Sequence, residues 1–537
     1  MSSTVNAPAQ PISGTKASTP NQNHSLPFMI AAAVYAAITN AILIASVKAT
    51  DGHFIYPLDD VYINMAMAKN VALHGVWGIS PYQFTSSTST PLFVLLLSAI
   101  YRVVGPSTYA PLLTSWAFGL ASIYIASQIV ADYLPVVQQS AALVVMVLLA
   151  PMFVVGTLGM EHSLHLFLTL LFMQRFQRDS DSYWVIGGIT VLMVATRYEG
   201  MFMAAVGSLV LITQRRWARA ATLSAAALVP VCAYALFSVS HHGFWLPNSI
   251  ALKGTHVHGL TAAGRIFSIL NTARSNCARA PHLFFLMAAV AIAAISLWRR
   301  NPHLAAILTL VTGAGCLHIA AADVGWAWRY EDYLIASGII VIACAFPLLR
   351  RSSRKTAAAT TFLSFCAAAF LLGRAMQAAT SLPPYSRAIY QQQWQMATFL
   401  REYYPDASIA ANDIGAINFN GNFRCIDLVG LADSDIFAAK RSGHYSTQFL
   451  DDETARRGVE VAAIYDSWFS AHPKEFFEGP TIPGSWIRVG RWTVLQQMDL
   501  GDKTVSFYAR TPNSAQLLRS HLDAFEKRLP RGVTAFH

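Results

Sequence analysis

The chain is poor in charge. Only 12% of its 537 residues are Asp, Glu, Lys or Arg, against about 25% in an ordinary soluble domain. So few charges cannot clothe a wholly soluble chain of this length. Cysteine is also sparse: six are present, none in CxxC spacing. Neither a zinc site nor a disulfide framework is indicated. Cys232, Cys316, Cys344 and Cys366 lie in apolar runs and read as small hydrophobes, while Cys277 and Cys425 fall in connecting or soluble regions. The chain lacks GxxxxGK followed by Ser or Thr, and it lacks a strand-borne GxGxxG, so ATP or NAD use has no support. It also lacks nucleic-acid-binding motifs and internal repeats.

What is there is apolar. The chain is 54% hydrophobic with a mean hydropathy of +0.41, which predicts an α-helical polytopic membrane protein. The formal net charge is +10, and much of it sits in short basic clusters between apolar runs, where positive-inside topology accounts for it. No nucleic-acid partner is implied. Residues 1–27, rich in Ser, Thr, Pro, Asn and Gln, read as a disordered cytoplasmic tail. The run 28–47 is too long for a typical signal segment and is read as a retained span.

Apolar stretches lie near 28–48, 91–105, 109–131, 140–157, 161–176, 183–196, 200–213, 219–240, 281–298, 303–322, 332–349 and 357–374. Four connections carry Arg175 and Arg178; Arg215, Arg216 and Arg219; Arg299 and Arg300; and Arg350, Arg351, Arg354 and Lys355. Placing all four in the cytoplasm satisfies the positive-inside rule. Twelve spans would then put the 49–108 loop on the basic side as well. The 91–105 segment is short, starts with proline and ends Tyr101-Arg102, which suits an interfacial helix. Demoting it leaves about 11 transmembrane helices in 28–374, with loop 49–108 and everything after 374 facing outward. The 241–280 loop then lies outside, although it carries Lys253, Arg265, Arg274 and Arg279. From 375 to 537, alternating runs at 408–420, 459–465, 486–496 and 504–510 read as strands, and 390–403 and 514–528 as helices. A soluble α/β domain is expected there, on the periplasmic side of a bacterial inner (plasma) membrane.

The loop 49–108 holds the adjacent carboxylates Asp59 and Asp60. Charges at a membrane edge are costly and mark candidate sites. Two neighbouring carboxylates suit general-base work. One Asp at the start of a helix is equally a good cap. The run 75–92 is rich in hydroxyls that suit a polyhydroxylated ligand or simply a flexible turn.

Several stretches together resemble the GT-C membrane glycosyltransferases, nearest to bacterial arabinofuranosyltransferase-like members such as the mycobacterial terminal arabinofuranosyltransferase. They are Asp59-Asp60-Val61-Tyr62-Ile63 with Ala68-Lys69-Asn70, Gly75 and Ser89-Thr90-Pro91-Leu92; Gly159-Met160-Glu161-His162; Thr196-Arg197-Tyr198-Glu199-Gly200; Leu246-Pro247-Asn248-Ser249 with Lys253; Arg329-Tyr330; and Asp413-Ile414-Gly415-Ala416-Ile417 with 426–431. They occur in order across roughly 28–435. His162 and Tyr198 depart from the commoner Thr and Pro of the family's motifs. The resemblance implies an inverting transferase that takes a sugar from a polyprenyl-phosphate donor at the bilayer and passes it to an envelope glycan, lipid or protein acceptor. It implies Asp59 as base with Asp60 second. Lys253, Arg197 and Arg329 are then candidates for the donor phosphate, because a phosphate leaving group needs cationic stabilisation. Tyr62, Glu161, Glu199, Asn248 and Asp413 are the further substrate-binding candidates. Ordinary interfacial ion pairing is the plainer account of Arg197–Glu199 and Arg329–Glu331.

Glu161-His162-x-x-His165 is not HExxH, and His241-His242 and His256-x-His258 are loop histidines. A divalent cation at Asp59/Asp60 is compatible with carboxylate chemistry. Two other functions fit the same composition: a transporter of lipid-linked sugars, and a non-catalytic envelope polysaccharide assembly protein whose C-terminal domain is the working part.

Overall fold

The computed structural model describes residues 25–176, 182–253, 262–469, 480–496, 498 and 500–536. A helical part comes first: α1 (Ser25–Ala49), α2 (Asp60–His74), α3 (Pro91–Val104), α4 (Tyr109–Ala131), α5 (Val136–Leu149), α6 (Met152–Leu158), α7 (His162–Phe176), α8 (Tyr183–Thr196), α9 (Gly200–Thr213) and α10 (Trp217–Ser240). It continues with α11 (Asn248–Lys253), α12 (Ala262–Arg279), α13 (Pro281–Leu297), α14 (Pro302–Ala321), α15 (Asp332–Ser352) and α16 (Arg354–Gln391). Among the described residues, 6 helices are long and apolar enough to cross a membrane, or up to 8 if each bent pair is one span. The shorter apolar helices are α3, α8 and α9. These lengths and compositions make a multi-pass membrane protein, with fewer spans by this measure than the eleven expected.

Proline sets the breaks. Pro151 disfavours helical geometry at Ala150, and the 140–157 run becomes α5 and α6, bent by 51°. Pro281 opens α13 after Ala280, and α12 meets α13 at 103°. Asn301 caps α14, its side chain accepting from Leu304 N at 3.1 Å, with Pro302 in the first turn.

α16 runs unbroken through position 375, where the composition shifts, and ends at Gln391. The α/β part then adds α17 (Gln393–Tyr403), β1 (Ser408–Ala411), α18 (Gly415–Asn420), β2 (Arg424–Asp427), α19 (Ser434–Arg441), α20 (Thr447–Arg456), β3 (Val461–Ile464), β4 (Ile487–Val494), β5 (Thr504–Ala509), α21 (Pro512–Glu526) and β6 (Val533–Phe536). The 6-stranded sheet has the order β2-β1-β3-β5-β4-β6. β1 is parallel to β2 and β3, and the remaining pairings are antiparallel. The expected strand 408–420 is therefore half strand and half helix, because the chain turns into α18 after Asn412. Trp492 anchors the sheet's aromatic core, with ring centroids 4.5 Å from Phe507 and 5.5 Å from Phe525.

The two parts share one apolar core. Tyr62 of α2 lies 5.9 Å from Trp394 of α17 and 6.1 Å from Phe419 of α18, centroid to centroid. The joint between α2 and α18 positions the candidate site.

Candidate active site

Two polar clusters meet at the peptide joining Asp59 to Asp60. The first is built from four distant stretches. Asp60 Oδ2 accepts from Arg329 Nη2 at 2.5 Å. The Arg329 and Arg197 guanidinium carbons each lie 5.3 Å from the centroid of the Tyr330 ring, so one aromatic ring serves both cations. Arg197 Nη1 donates to Glu161 Oε1 at 2.7 Å and to His162 Nε2 at 2.9 Å, and its Nη2 donates to Glu199 Oε1 at 2.5 Å. A guanidinium only donates, so His162 Nε2 accepts and the ring hydrogen sits on Nδ1. The His162 ring stacks on Tyr330 at 6.2 Å.

Local backbone explains this convergence. Gly159 ends α6 at φ +66°, and a Cβ there would stand 2.4 Å from the Tyr56 ring. Only glycine makes that turn, and the turn delivers Glu161. Arg197 leaves helical geometry between α8 and α9, at φ −153° and ψ 136°. Arg329 follows a short 3-10 turn, Trp326–Trp328, in which Ala327 and Trp328 both have positive φ, 48° and 57°. Such conformations cost about 1–3 kcal/mol each and persist where the surroundings enforce them. Trp328 stacks on Tyr385, ring centroids 5.8 Å apart, and Glu331 braces the start of the turn. Its Oε1 accepts from Arg374 Nη2 at 2.8 Å and lies 3.3 Å from His282 Nε2, and its Oε2 accepts from Gly325 N at 3.1 Å. The expected Arg329–Glu331 pairing is thus replaced: Arg329 pairs with Asp60, and Glu331 closes the loop behind it. The Arg197–Glu199 pair is present.

The second cluster faces the α/β domain. Asp59 is buried, and its Oδ2 and Oδ1 accept from Gly415 N at 2.6 Å and Ala416 N at 2.8 Å. These are free amides at the start of α18. Asp59 also shares a hydrogen bond with Asp413, whose Oδ2 accepts from Gln393 Nε2 at 2.7 Å. Burial first, and then the facing carboxylate, raise the proton affinity of Asp413 well above the carboxylate range. Burial also raises that of Asp59, while its hydrogen bonds to Asp413 and to the two amides oppose the rise. The amides favour charge on Asp59, so the shared proton rests on Asp413. At the far end of α18, Lys69 Nζ donates to the carbonyls of Asn418, Phe419 and Gly421, each at 2.9 Å. Burial pushes the Lys69 ammonium down to about 8.

The other candidates lie around these clusters. Tyr62 OH accepts from Tyr56 N at 3.0 Å beside the second cluster. Asn248 N donates to Ser86 O at 2.8 Å and Asn248 Nδ2 to Gly430 O at 3.4 Å. It joins the hydroxyl-rich loop to the α/β domain, and among the described residues its hydrogen bonds go to neither cluster. The Lys253 side chain, Arg178, His256 and His258 lie outside the described residues. The hydroxyls of the 75–92 run are largely buried and bond inward, Thr88 to Asn64 at 3.0 Å and Ser86 to Tyr234 at 3.1 Å. Among the described residues no group of three or more His, Cys, Asp or Glu is placed to hold a metal ion. Asp59 Oδ2 and Oδ1 each accept from a backbone amide and Asp60 Oδ2 accepts from Arg329. Sequence reading gave Lys69, His282 and Arg374 no role. The signal was present for Lys69, a lone cation in the apolar 61–73 helix pattern.

A family described as Domain of unknown function (DUF8728) matches residues 387–508, well under half the chain. No curated protein matches. Solved structures are similar over most of the chain. One is ArnT from Cupriavidus metallidurans bound to undecaprenyl phosphate, at 14% identity, covering 90% of this chain and 98% of that one, TM-score 0.49. Another is the oligosaccharyltransferase AglB from Archaeoglobus fulgidus with an inhibitory peptide and a dolichol-phosphate, at 13% identity, covering 89% and 74%, TM-score 0.44. The Archaeoglobus fulgidus oligosaccharyltransferase in its apo form gives 11% identity, coverage of 92% and 78%, and TM-score 0.45. All three scores fall below 0.5, and the functional reading rests on the chain's own residues.

Proposed function

We propose that the chain is a membrane glycosyltransferase of the GT-C kind. It takes a sugar from a polyprenyl-phosphate donor and passes it, with inversion, to a hydroxyl of an envelope glycan, lipid or protein. One observation carries the reading. Asp60, residues 159–162, 197–199 and 329–330, which belong to four stretches that resemble separate motifs of that superfamily, fold into one cluster in which two guanidiniums flank the Tyr330 ring and pair with Asp60, Glu161 and Glu199. Arg197 Nε and Arg329 Nε are buried without a partner among the described residues. Buried donors are normally paired, so two guanidiniums around one ring, each with a spare N–H, suit an incoming phosphate.

The acceptor oxygen attacks the anomeric carbon, the bond from that carbon to the phosphate oxygen breaks, and the electron pair leaves on the lipid phosphate. Arg197 and Arg329 stabilise that charge. The acceptor proton goes to the Asp59–Asp60 pair. Asp59 is the base implied by the resemblance and has the raised proton affinity; Asp60 stands beside Arg329 with its side chain 29% exposed. Arabinofuranose is the sugar that the sequence resemblance favours, and the reaction is placed on the outward face, with the α/β domain.

The test is transfer by reconstituted protein from a panel of short-chain polyprenyl-phosphate sugars to envelope-glycan acceptors. Asp59→Asn and Asp60→Asn are assayed separately. Loss in one variant assigns the base to that residue. Normal transfer in both, or no transfer from any donor by folded wild-type protein, overturns the proposal and favours transport or envelope assembly.

A further inference from the structure

α12 is amphipathic with the wrong side out for a soluble protein. At 100° per residue, Ser268, Thr272 and Asn276 share one side, and they are buried or half-buried against the protein. Ile266, Phe267 and Leu270 share the opposite side and are exposed, Phe267 by 73%. A water-facing helix buries the apolar side; this one turns Ser268, Thr272 and Asn276 inward and leaves Ile266, Phe267 and Leu270 outward. Its axis turns by 103° from α13, an apolar helix of 17 residues (Pro281–Leu297). If α13 stands in the bilayer, α12 lies along its surface. Arg274 continues the line of Leu270 one turn further along the helix and is exposed, so its long stem can lie on the apolar strip while its guanidinium reaches toward phosphates.

The polar side is firmly tied. Asn276 Nδ2 donates to Ile319 O at 2.9 Å and Ala322 O at 2.8 Å, at the end of α14. Arg279 Nη2 donates to Asn276 Oδ1 at 2.8 Å and also pairs with Asp323. The segment so gripped, 319–323, leads directly into the turn that carries Arg329.

We infer that α12 is a membrane-surface helix. Its apolar side rests in the leaflet on the side of the candidate site, occupied by lipid acyl chains, and it holds the Arg329 loop at the level of lipid phosphates. Such helices sink their apolar face about 5–10 Å into the headgroup boundary. In the proposed reaction, on which this part rests, α12 is the surface along which a long-chain donor reaches Arg329.

The experiment uses full-length protein in phosphatidylglycerol/phosphatidylethanolamine nanodiscs. A nitroxide is placed at Phe267→Cys or Ser275→Cys, with Cys232, Cys277, Cys316 and Cys366, the cysteines that are not buried, replaced by Ala. Accessibility to oxygen and to a water-soluble nickel chelate is then read. Position 267 is expected to be oxygen-accessible and chelate-protected, and position 275 the reverse. Equal chelate access at both overturns the inference, as does dipolar broadening at 267 showing a second copy on this face. This readout is independent of catalysis. In the transfer assay, Phe267→Asp with Leu270→Asp is expected to raise KM for a long-chain donor about tenfold with kcat unchanged, and to leave a short-chain donor unaffected. Equal losses with both donors overturn the donor-path part alone.

Discussion

Gly415→Ala tests the joint between α2 and α18, and two opposing effects decide its sign. Alanine favours a helix over glycine by about 1 kcal/mol, so an unhindered replacement should stabilise. At Gly415 the added Cβ would stand 2.2 Å from the Asp59 backbone oxygen and 2.5 Å from its Oδ2. The carboxylate can rotate away, but the backbone oxygen cannot. Relief requires α18 to move, which stretches the amide bonds from Gly415 and Ala416 to Asp59. Hydrogen bonds to charged groups contribute about 1.5–3 kcal/mol each. Losing most of both outweighs the helix gain and leaves a net cost of about 2–4 kcal/mol. Gly373→Ala is the control, since no atom lies within 4 Å of the Cβ it would add. It is expected to be neutral or stabilising by up to about 1 kcal/mol. Hydrogen exchange on protein in nanodiscs reads the local opening of α18. A cost of 2–4 kcal/mol predicts roughly 30- to 1,000-fold faster exchange across 415–421. Exchange in Gly415→Ala matching wild type, or matching Gly373→Ala, would refute the reasoning.

Four further outcomes follow from the same contacts. Asp413 holds its proton more tightly in the folded protein than in the unfolded chain, so its contribution is present below about pH 4 and is lost as pH rises through the raised value. Asp413→Asn, which mimics the protonated acid, should therefore slow exchange of α18 relative to wild type at pH 7–8 and match it near pH 4. Lys69→Met strands the three carbonyls at the end of α18 and should destabilise the joint by about 3 kcal/mol, visible as faster exchange at 418–422. Arg197→Lys cannot reach Glu161, His162 and Glu199 together from a point charge, and should lower transfer at least about tenfold with the fold retained by thermal melting. Tyr35 OH is buried without a partner among the described residues and is wedged against Gly119 and Gly156. Tyr35→Phe should therefore raise the melting temperature or leave it unchanged, whereas Gly156→Ala should cost about 1–3 kcal/mol.

The long apolar runs and the strands β3, β4 and β5 were legible because length, hydropathy and period-two alternation are local properties. The breaks within runs were harder: Pro151 divides one run into α5 and α6 without changing its composition. Pairing was least legible. Arg329 sits two positions from Glu331, yet its partner is Asp60, because Glu331 is held by Arg374 and His282 from other helices. The sharpest case is α18. The run 408–420 alternates well enough to read as strand, and a helix spanning only Gly415–Asn420 is too short to persist by its own propensity. It forms because α2 runs alongside with opposite charges near its two ends. Asp59 takes the amides where the helix dipole is positive, and Lys69 takes the carbonyls where it is negative. Both charges belong to the 49–108 loop, but a role at a helix more than 300 residues away is written in no local pattern. The same geometry divides the acidic pair, turning Asp59 toward the α/β domain and Asp60 toward Arg329. Any movement of that domain must therefore act on the peptide that joins them.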